Sequence, residues 1–280
     1  MLDERQWRKA NPALGDYRDL DEFRAAMRRA EKVPSLESRL RNLYLNQRVQ
    51  AKAPFLSPNV WTRGAKPLVE ELLYDGRPVY GGLDLSYRTD LCALVMAVED
   101  DQRNIHLFPR IWTPGDTIDE RGLRDRAPYR VWADRGFLIP VPGEVLDYDF
   151  LAADVGELSS NILFAKMNYD QWRIDILKQS FARMGVLVPL SPFGQGYRSM
   201  SPAIEIFEEL AVQGRLFHAS HPVLRWCVSN AVVDMDAAGN RKLTKAKSFG
   251  RIDAGVAAVM AVAACRLQTE NELDLDALVA

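Results

Sequence analysis

Three aspartates lie at the edges of apolar segments in this 280-residue sequence. Asp84 lies in an apolar stretch that begins at Val79, Asp170 ends a second stretch, and Asp253 opens a third. Burial of an unpaired carboxylate costs on the order of several kcal/mol, so each of these residues needs a partner. If they converge, they form an acidic site whose oxygens are the ligands that hard divalent cations prefer. All three are therefore candidate metal ligands.

Each aspartate also has a structural alternative. Asp84 follows two glycines and fits a structural acid that faces a turn. Asp170 stands between a predicted strand and a predicted helix, where a helix N-cap is common. Asp253 fits a helix cap or an ion pair with Arg251. Asp90 is a candidate fourth carboxylate beside the metals, although its setting is more typical of a turn.

A basic segment precedes Asp253. Between residues 241 and 251 the chain has five cations and no acid, namely Arg241, Lys242, Lys245, Lys247 and Arg251. This pattern fits either a solvated loop or a loop that contacts phosphates beside the acidic site. Arg198 is a further candidate phosphate contact. The formal net charge of −2 argues against nucleic acid binding driven by bulk charge, but it leaves a local basic surface open.

Composition limits the remaining classes of protein. An apolar content of 48% is enough for a globular core, and no apolar run reaches the roughly 20 residues of a membrane helix. The N-terminus is polar and does not resemble a signal peptide. The three cysteines include no close pair, which favours reduced core residues in a cytosolic protein.

The central part of the sequence predicts a mixed α/β sheet. Alternating and apolar runs predict strands over residues 79–85, 91–98, 104–112, 162–169 and 186–190. Helical periodicity and caps predict helices over residues 147–160, 171–184, 201–213 and 251–267. The polar stretch 113–143 is predicted to form a flap or an insertion.

The order of these elements gives the three acids a way to meet. Three strands in a meander, followed by alternating helices and strands, predict a central sheet of five or more strands with helices on both faces. The fourth strand can then pair parallel to the first, which makes Asp84 and Asp170 neighbours. The last helix is apolar all round and must be buried, so it can bring Asp253 onto the same site.

Residues 1–75 have a different character. They predict two helices, over 19–30 and 35–45, followed by a proline-containing stretch without a strand pattern. We expect this part to be a helical linker segment, residues 76–268 to form the sheet domain, and residues 269–280 to be an acidic tail.

The ordered series of motifs resembles the nuclease domain of tailed-phage terminase large subunits, which belongs to the RNase H-like superfamily. The matching segments are WRKANP at 7–12, LN at 45–46, GGLDLS at 81–86, TDL at 89–91, YDQW at 169–172, QG at 195–196, MSP at 200–202, LFH at 216–218, HPVLRW at 221–226, NA at 230–231 and KSFGRIDA at 247–254. Together they cover nearly the whole chain.

The resemblance implies a function and a site. It implies an endonuclease that cuts concatemeric double-stranded viral DNA during genome packaging with two ions of Mg²⁺ or Mn²⁺. Asp84 would be the bridging ligand, with Asp170 and Asp253 holding one ion each. In the full-length family protein the partners are an ATPase domain, the portal and the small terminase subunit. No G-x-x-x-x-G-K-[S/T] motif occurs here, so no ATPase is expected in these residues, and residues 1–75 would correspond to the end of the translocase part.

Two alternatives stay open at this stage. One is another RNase H-like nuclease of the resolvase or transposase type, and the other is a non-catalytic module that docks on DNA or on a portal. We expect the isolated domain to be a monomer in the host cytoplasm with no membrane association.

Overall fold

The computed structural model describes residues 4–32, 44–46, 55–85, 90–171, 174–245, 248 and 250–267. They fall into two compact units, Met1–Ala53 and Pro54–Ala280. Most of the second predicted helix and the predicted acidic tail lie outside the described residues. Compactness alone does not define a functional domain, so the assignment of residues 1–75 to the end of a translocase stays a prediction.

The first unit contains two helices, α1 (Glu4–Ala10) and α2 (Leu20–Lys32). Trp7 of α1 and Phe23 of α2 lie in one small apolar cluster, with their ring centroids 5.2 Å apart. Phe23 and Met27 of the predicted amphipathic face of α2 therefore pack on α1, and Arg24 also pairs with Glu4 at 2.6 Å.

The second unit is built on a central sheet. In chain order its described strands are β1 (Val79–Asp84), β2 (Cys92–Glu99), β3 (Ile105–Pro114), β4 (Ile139–Val141), β5 (Phe164–Tyr169), β6 (Leu190–Pro192) and β7 (Leu216–Phe217). Their spatial order is β4-β3-β2-β1-β5-β6, with β7 also paired to β3. β1, β2 and β3 form an antiparallel meander, and β5 runs parallel to β1, so the expected mixed sheet is confirmed.

Helices and a separate hairpin surround this sheet. The helices are α3 (Pro58–Thr62), α4 (Ile118–Asp125), α5 (Tyr129–Asp134), α6 (Tyr148–Asn161), α7 (Ile174–Met184), α8 (Tyr197–Val212), α9 (Pro222–Asn230) and α10 (Asp253–Arg266), with a 3₁₀ turn at Glu70–Leu73. Strands β8 (Val232–Met235) and β9 (Arg241–Thr244) form the hairpin. None of the described helices is both long and apolar enough to cross a membrane.

Strand β2 shows why the sheet is covered on both faces. Ala93, Val95 and Ala97 belong to the apolar cluster that includes α8, α9 and α10, whereas Leu94 and Met96 belong to the cluster that includes α6 and α7. Successive side chains of a strand point to opposite faces. A strand buried on both faces therefore appears as a continuous apolar run, as this one does.

Three regions differ clearly from the sequence-based expectations. The strand expected over 186–190 is β6 at Leu190–Pro192, because the Val186 amide is used to close helix α7 by bonding the Phe181 carbonyl. Helix α8 begins at Tyr197, earlier than expected, since Gly196 serves as its N-cap, and Pro202 lies inside the helix. The stretch 113–143 forms α4, α5 and the sheet-edge strand β4.

Candidate active site

Asp84 and Asp253 are brought together by the packing of α10 on β1. Gly82 and Asp84 share one face of β1, because residues two apart in a strand point the same way. A Cβ built on Gly82 would lie 2.0 Å from the Ala257 carbonyl oxygen and 2.5 Å from the Ala261 nitrogen. Only a residue without a side chain permits this approach. The Asn168 amide of β5 also donates to the Met260 carbonyl at 3.0 Å, so β5 is fixed to the same helix.

The two carboxylates share one cation. Asp84 ends β1 and is 1% exposed, and Asp253 opens α10 and is 2% exposed. The Lys245 ammonium donates to Asp253 Oδ1 at 2.7 Å and to Asp84 Oδ2 at 3.4 Å. The Gln195 amide nitrogen donates to Asp84 Oδ1 at 2.8 Å. Asp84 thus has both oxygens engaged, each by a different element of the fold.

Asp170 lies at the same end of the sheet. Leu83 of β1 pairs with Tyr169 of β5, so Asp84 and Asp170 are the next residues of two adjacent parallel strands. The Asp170 amide lies 3.4 Å from the Leu83 carbonyl, and the Asp170 side chain is half-buried. As expected, the backbones of Asp84 and Asp170 are therefore adjacent.

The surroundings of Asp84 raise its pKa in the absence of a metal. The pKa of Asp84 is raised to about 6, mainly by burial and also by the charges of Asp253 and Asp170. The Lys245 ammonium and the bond from Gln195 oppose this increase. In turn the two carboxylates raise the pKa of Lys245, although burial works in the other direction.

The donor set at Asp84 and Asp253 fits a hard divalent cation. Asp253 Oδ2 is buried and has no hydrogen-bond partner among the described residues. A buried oxygen of this kind needs a cation or a donor, because its desolvation is otherwise uncompensated. The Lys245 ammonium already stands in for a cation on the other oxygen of Asp253. Oxygen ligands without sulfur or imidazole suit Mg²⁺ or Mn²⁺.

Asp84, Asp170 and Asp253 do not form a three-ligand metal site in this structure. Within the described part of the chain, no group of three His, Cys, Asp or Glu side chains has an arrangement that could hold a metal ion. Asp84 and Asp253 meet on Lys245, whereas Asp170 lies beside Asp84 through the strand register. The structure therefore brings two of the candidate ligands together and places the third next to them.

Asp90 lies in a different cluster. It pairs with Arg251 at 2.7 Å, and Arg251 Nε contacts Asp125 at 3.2 Å. Arg124 pairs with Asp125 at 2.9 Å, and the Tyr129 hydroxyl donates to the same carboxylate at 2.9 Å. Although burial opposes it, these bonds and the charge of Arg251 hold the pKa of Asp125 below its usual range. The candidate ligand Asp90 is thus committed to arginine in this structure.

The candidate DNA-contacting cations differ in their contacts with the rest of the protein. Arg241 pairs with Glu208 at 2.7 Å, and the Lys242 ammonium lies 4.5 Å from the centre of the Tyr197 ring. Both residues therefore help to fix the β8–β9 hairpin on α8. Arg198 is exposed at the second position of α8.

A cleft adjoins the acidic pair. Its volume is about 250 Å³, and its lining residues are Asp125, Lys245, Ser248, Gly250, Arg251, Ile252 and Asp253. Lys245 and Arg251 thus face the space that leads to Asp253, while Lys247 lies outside the described residues. A polyanion that entered this cleft would meet positive charge next to the carboxylates.

The sequence did not predict that the side chains of Gln195 and Asp125 take part in the site and its neighbouring cluster. Gln195 lies 111 residues from the aspartate that it bonds, and Asp125 lies 126 residues from Arg251. The motif QG at 195–196 belongs to the family resemblance, but no periodicity indicates that the Gln195 amide reaches Asp84.

The sequence matches a protein family and individual proteins. The family "Terminase large subunit, endonuclease domain" matches residues 1–269. The large terminase subunit of Enterobacteria phage HK97 is 44% identical over 272 residues, which are 96% of this chain and 53% of that protein. Protein YmfN of Escherichia coli (strain K12) is 23% identical over 279 residues, covering 94% of this chain and 60% of that protein.

A solved structure agrees with these relatives. The crystal structure of the HK97 bacteriophage large terminase matches with a TM-score of 0.71 at 44% identity, covering 93% of this chain and 53% of that chain. This chain therefore spans about half the length of the HK97 protein. Since the family match includes β1, β5 and the start of α10, the chain belongs to the terminase large subunit endonuclease domain family.

Proposed function

We propose that this chain is a divalent-metal-dependent endonuclease that hydrolyses phosphodiester bonds of double-stranded viral DNA during genome packaging. The observation that carries the proposal is the pair of buried carboxylates, Asp84 and Asp253, which share one ammonium and leave one buried oxygen without a partner among the described residues. Membership of the terminase family supplies the substrate class. The site would act in the cytoplasm of the infected host.

Each residue of the site would have a distinct role in the reaction. Divalent ions held at this site would activate a water molecule and stabilise the leaving oxygen. Asp84 would serve both ions, and Asp253 and Asp170 would hold one each. Gln195 would keep the Asp84 carboxylate oriented through its 2.8 Å bond.

Positive side chains would position the DNA backbone. Lys245 is exposed beside the acidic pair, Arg251 lines the cleft at Asp253, and Arg198 is exposed at the start of α8. Lys242 and Arg241 would extend this surface along the hairpin, and Lys247, which lies outside the described residues, stays a candidate contact. Such contacts bind phosphates without regard to base sequence, which suits an enzyme that cuts many sites. In a longer protein of this family, the ATPase domain, the portal and the small terminase subunit are the proposed partners.

Plasmid cleavage tests the proposal. The purified protein should nick or linearise supercoiled plasmid in Mn²⁺ or Mg²⁺, and a chelator should abolish the reaction. Asp84→Asn and Asp253→Asn should each lower the rate by about 10³-fold or more, since metal stabilisation of the transition state amounts to several kcal/mol. Asp119→Asn is the matched control, because Asp119 is an exposed acid paired only with Arg130 among the described contacts.

The remaining outcomes separate the alternatives. Near-wild-type cleavage by Asp84→Asn would overturn the site assignment. Preference for branched over duplex DNA would favour a resolvase-type nuclease. Absence of cleavage in every divalent metal would favour a docking module. The same assay on Asp170→Asn asks whether the third acid is a ligand, in which case the loss should match that of Asp253→Asn, or only a helix cap.

A further inference from the structure

Lys245 is placed as a cation would be placed in the acidic pair. Its ammonium lies 2.7 Å from Asp253 Oδ1 and 3.4 Å from Asp84 Oδ2, so it is the shared counter-charge of two carboxylates that are almost fully buried. An ammonium is a compact point charge, and it can take the position of a metal ion without a fixed planar geometry.

The anchoring of Lys245 differs from that of the acids. Asp84 and Asp253 belong to β1 and α10, which are held together at Gly82. Lys245 follows β9, and its side chain is 53% exposed. The hairpin that precedes it is fixed on α8 by the Arg241–Glu208 pair at 2.7 Å and by the bond from the Tyr197 hydroxyl to Asp234 at 2.9 Å. The flexible side chain can therefore leave the carboxylates while the preceding hairpin stays in place.

Lys245 and a divalent ion would compete for the same oxygens. An ammonium and a divalent cation repel each other strongly at a few ångströms in a partly buried site. Asp253 Oδ2 is still without a partner among the described residues, which gives an incoming ion a first point of attachment. The exposed face of Lys245 opens onto the cleft, so the displaced ammonium has solvent to enter.

We propose that the Lys245 ammonium holds the cation position between Asp84 and Asp253 in the metal-free protein and leaves it when a divalent ion binds. Lys245 thereby sets the metal affinity of the site. This inference rests on the proposed function, since it takes the acidic pair as the metal site.

Metal binding to the whole chain tests the inference directly. Free Mn²⁺ is measured by electron paramagnetic resonance during titration of wild type, Lys245→Met and Lys178→Met with MnCl₂. Lys245→Met should bind the first Mn²⁺ about tenfold more tightly or better, because the competing charge is gone. Lys178→Met removes a charge that lies by Tyr169 and does not pair with Asp84 or Asp253, and its affinity should stay within about twofold.

Thermal unfolding provides a second readout. Without metal, Lys245→Met should melt at a lower temperature than wild type, because two buried acids lose their shared cation, and Mn²⁺ should raise its melting temperature more than it raises that of wild type. If Lys245→Met folds only when Mn²⁺ is present, the inference is supported. If it folds in neither condition, Lys245→Arg replaces it, and a gain in Mn²⁺ affinity by that charge-retaining variant contradicts the inference.

The outcomes distinguish this inference from the function on which it rests. If wild type binds Mn²⁺, Asp253→Asn loses that binding and Lys245→Met binds no more tightly than wild type, the competition is disproved and the metal site stands. If neither wild type nor Lys245→Met binds Mn²⁺, both the metal site and the competition are disproved.

Discussion

Two pairs of acids lie near the start of α10, and they differ in how their charge is balanced. Asp84 and Asp253 share one lysine whose side chain is 53% exposed. Asp90 and Asp125 meet Arg251, and Asp125 also pairs with Arg124 at 2.9 Å. The first pair therefore has more acid than local cation, whereas the second pair is matched by two arginines.

The difference separates an exchangeable site from a structural clamp. Arginine offers a rigid planar fork that stays charged, and a carboxylate bound by it is poorly available to another cation. Because Arg251 lies two residues before Asp253, the clamp fixes the backbone from which the catalytic candidate projects. Lysine is a flexible point charge that a metal can replace. Under the proposed function, similar residue types serve cation binding in one place and rigidity in the other.

The largest effect is expected from a change that disturbs both clusters. Gly82→Ala would place a methyl group 2.0 Å from the Ala257 carbonyl and push α10 away from β1. We expect the free energy of unfolding to fall by about 3 kcal/mol or more, measured by urea denaturation. Gly196→Ala is the control, since nothing lies within 4 Å of its Cβ, and its change should stay within about 1 kcal/mol. Equal losses in the two variants would contradict this packing.

The acidic pair should make metal-free stability depend on pH. The pKa of Asp84 is about 6 in the folded protein and 3.8 for an ordinary aspartate, so the folded state binds more protons between these values. The unfolding free energy should therefore decrease as pH rises from about 4 to about 6, by up to about 3 kcal/mol relative to Asp84→Asn. Parallel pH profiles of wild type and Asp84→Asn, measured in a chelator, would argue against burial as the dominant cause.

The arginine clamp should affect stability in a different way. Arg251→Met leaves Asp90 and Asp125 without their common partner and should lower the unfolding free energy by about 2 kcal/mol, since breaking a partly buried ion pair strands its acids. Arg130→Met breaks the exposed pair with Asp119 and should cause no measurable change. If the two variants denature at the same urea concentration, Arg251 does not act as a clamp.

The smallest effect is expected from the orientation of Asp84. Gln195→Met keeps the length of the side chain and removes the amide that bonds Asp84 Oδ1. We expect plasmid cleavage to slow by about tenfold at saturating metal, with little loss of stability. Gln213→Met, which removes an exposed bond to Glu209, is the control. An unchanged rate in Gln195→Met would show that this bond is not needed for the reaction.

Local patterns were sufficient for much of the fold. The apolar runs predicted β1, β2, β3 and β5, and the parallel pairing of β1 with β5 is confirmed by the register of Leu83 with Tyr169. The all-apolar pattern of the last helix correctly predicted its burial. Helix α9 and the β8–β9 hairpin were not predicted, because short elements with mixed polar and apolar residues have weak periodicity.

The sequence by itself determined which segments are buried, the family to which the chain belongs and which acids stand at the ends of buried elements. The tertiary structure alone decided which cation meets which acid. Periodicity and caps act within a few residues, but Lys245 lies 161 residues from Asp84 and Arg251 lies 126 residues from Asp125. Such pairs depend on how rigid elements pack, here on the contact of α10 with Gly82, and no local pattern encodes that distance.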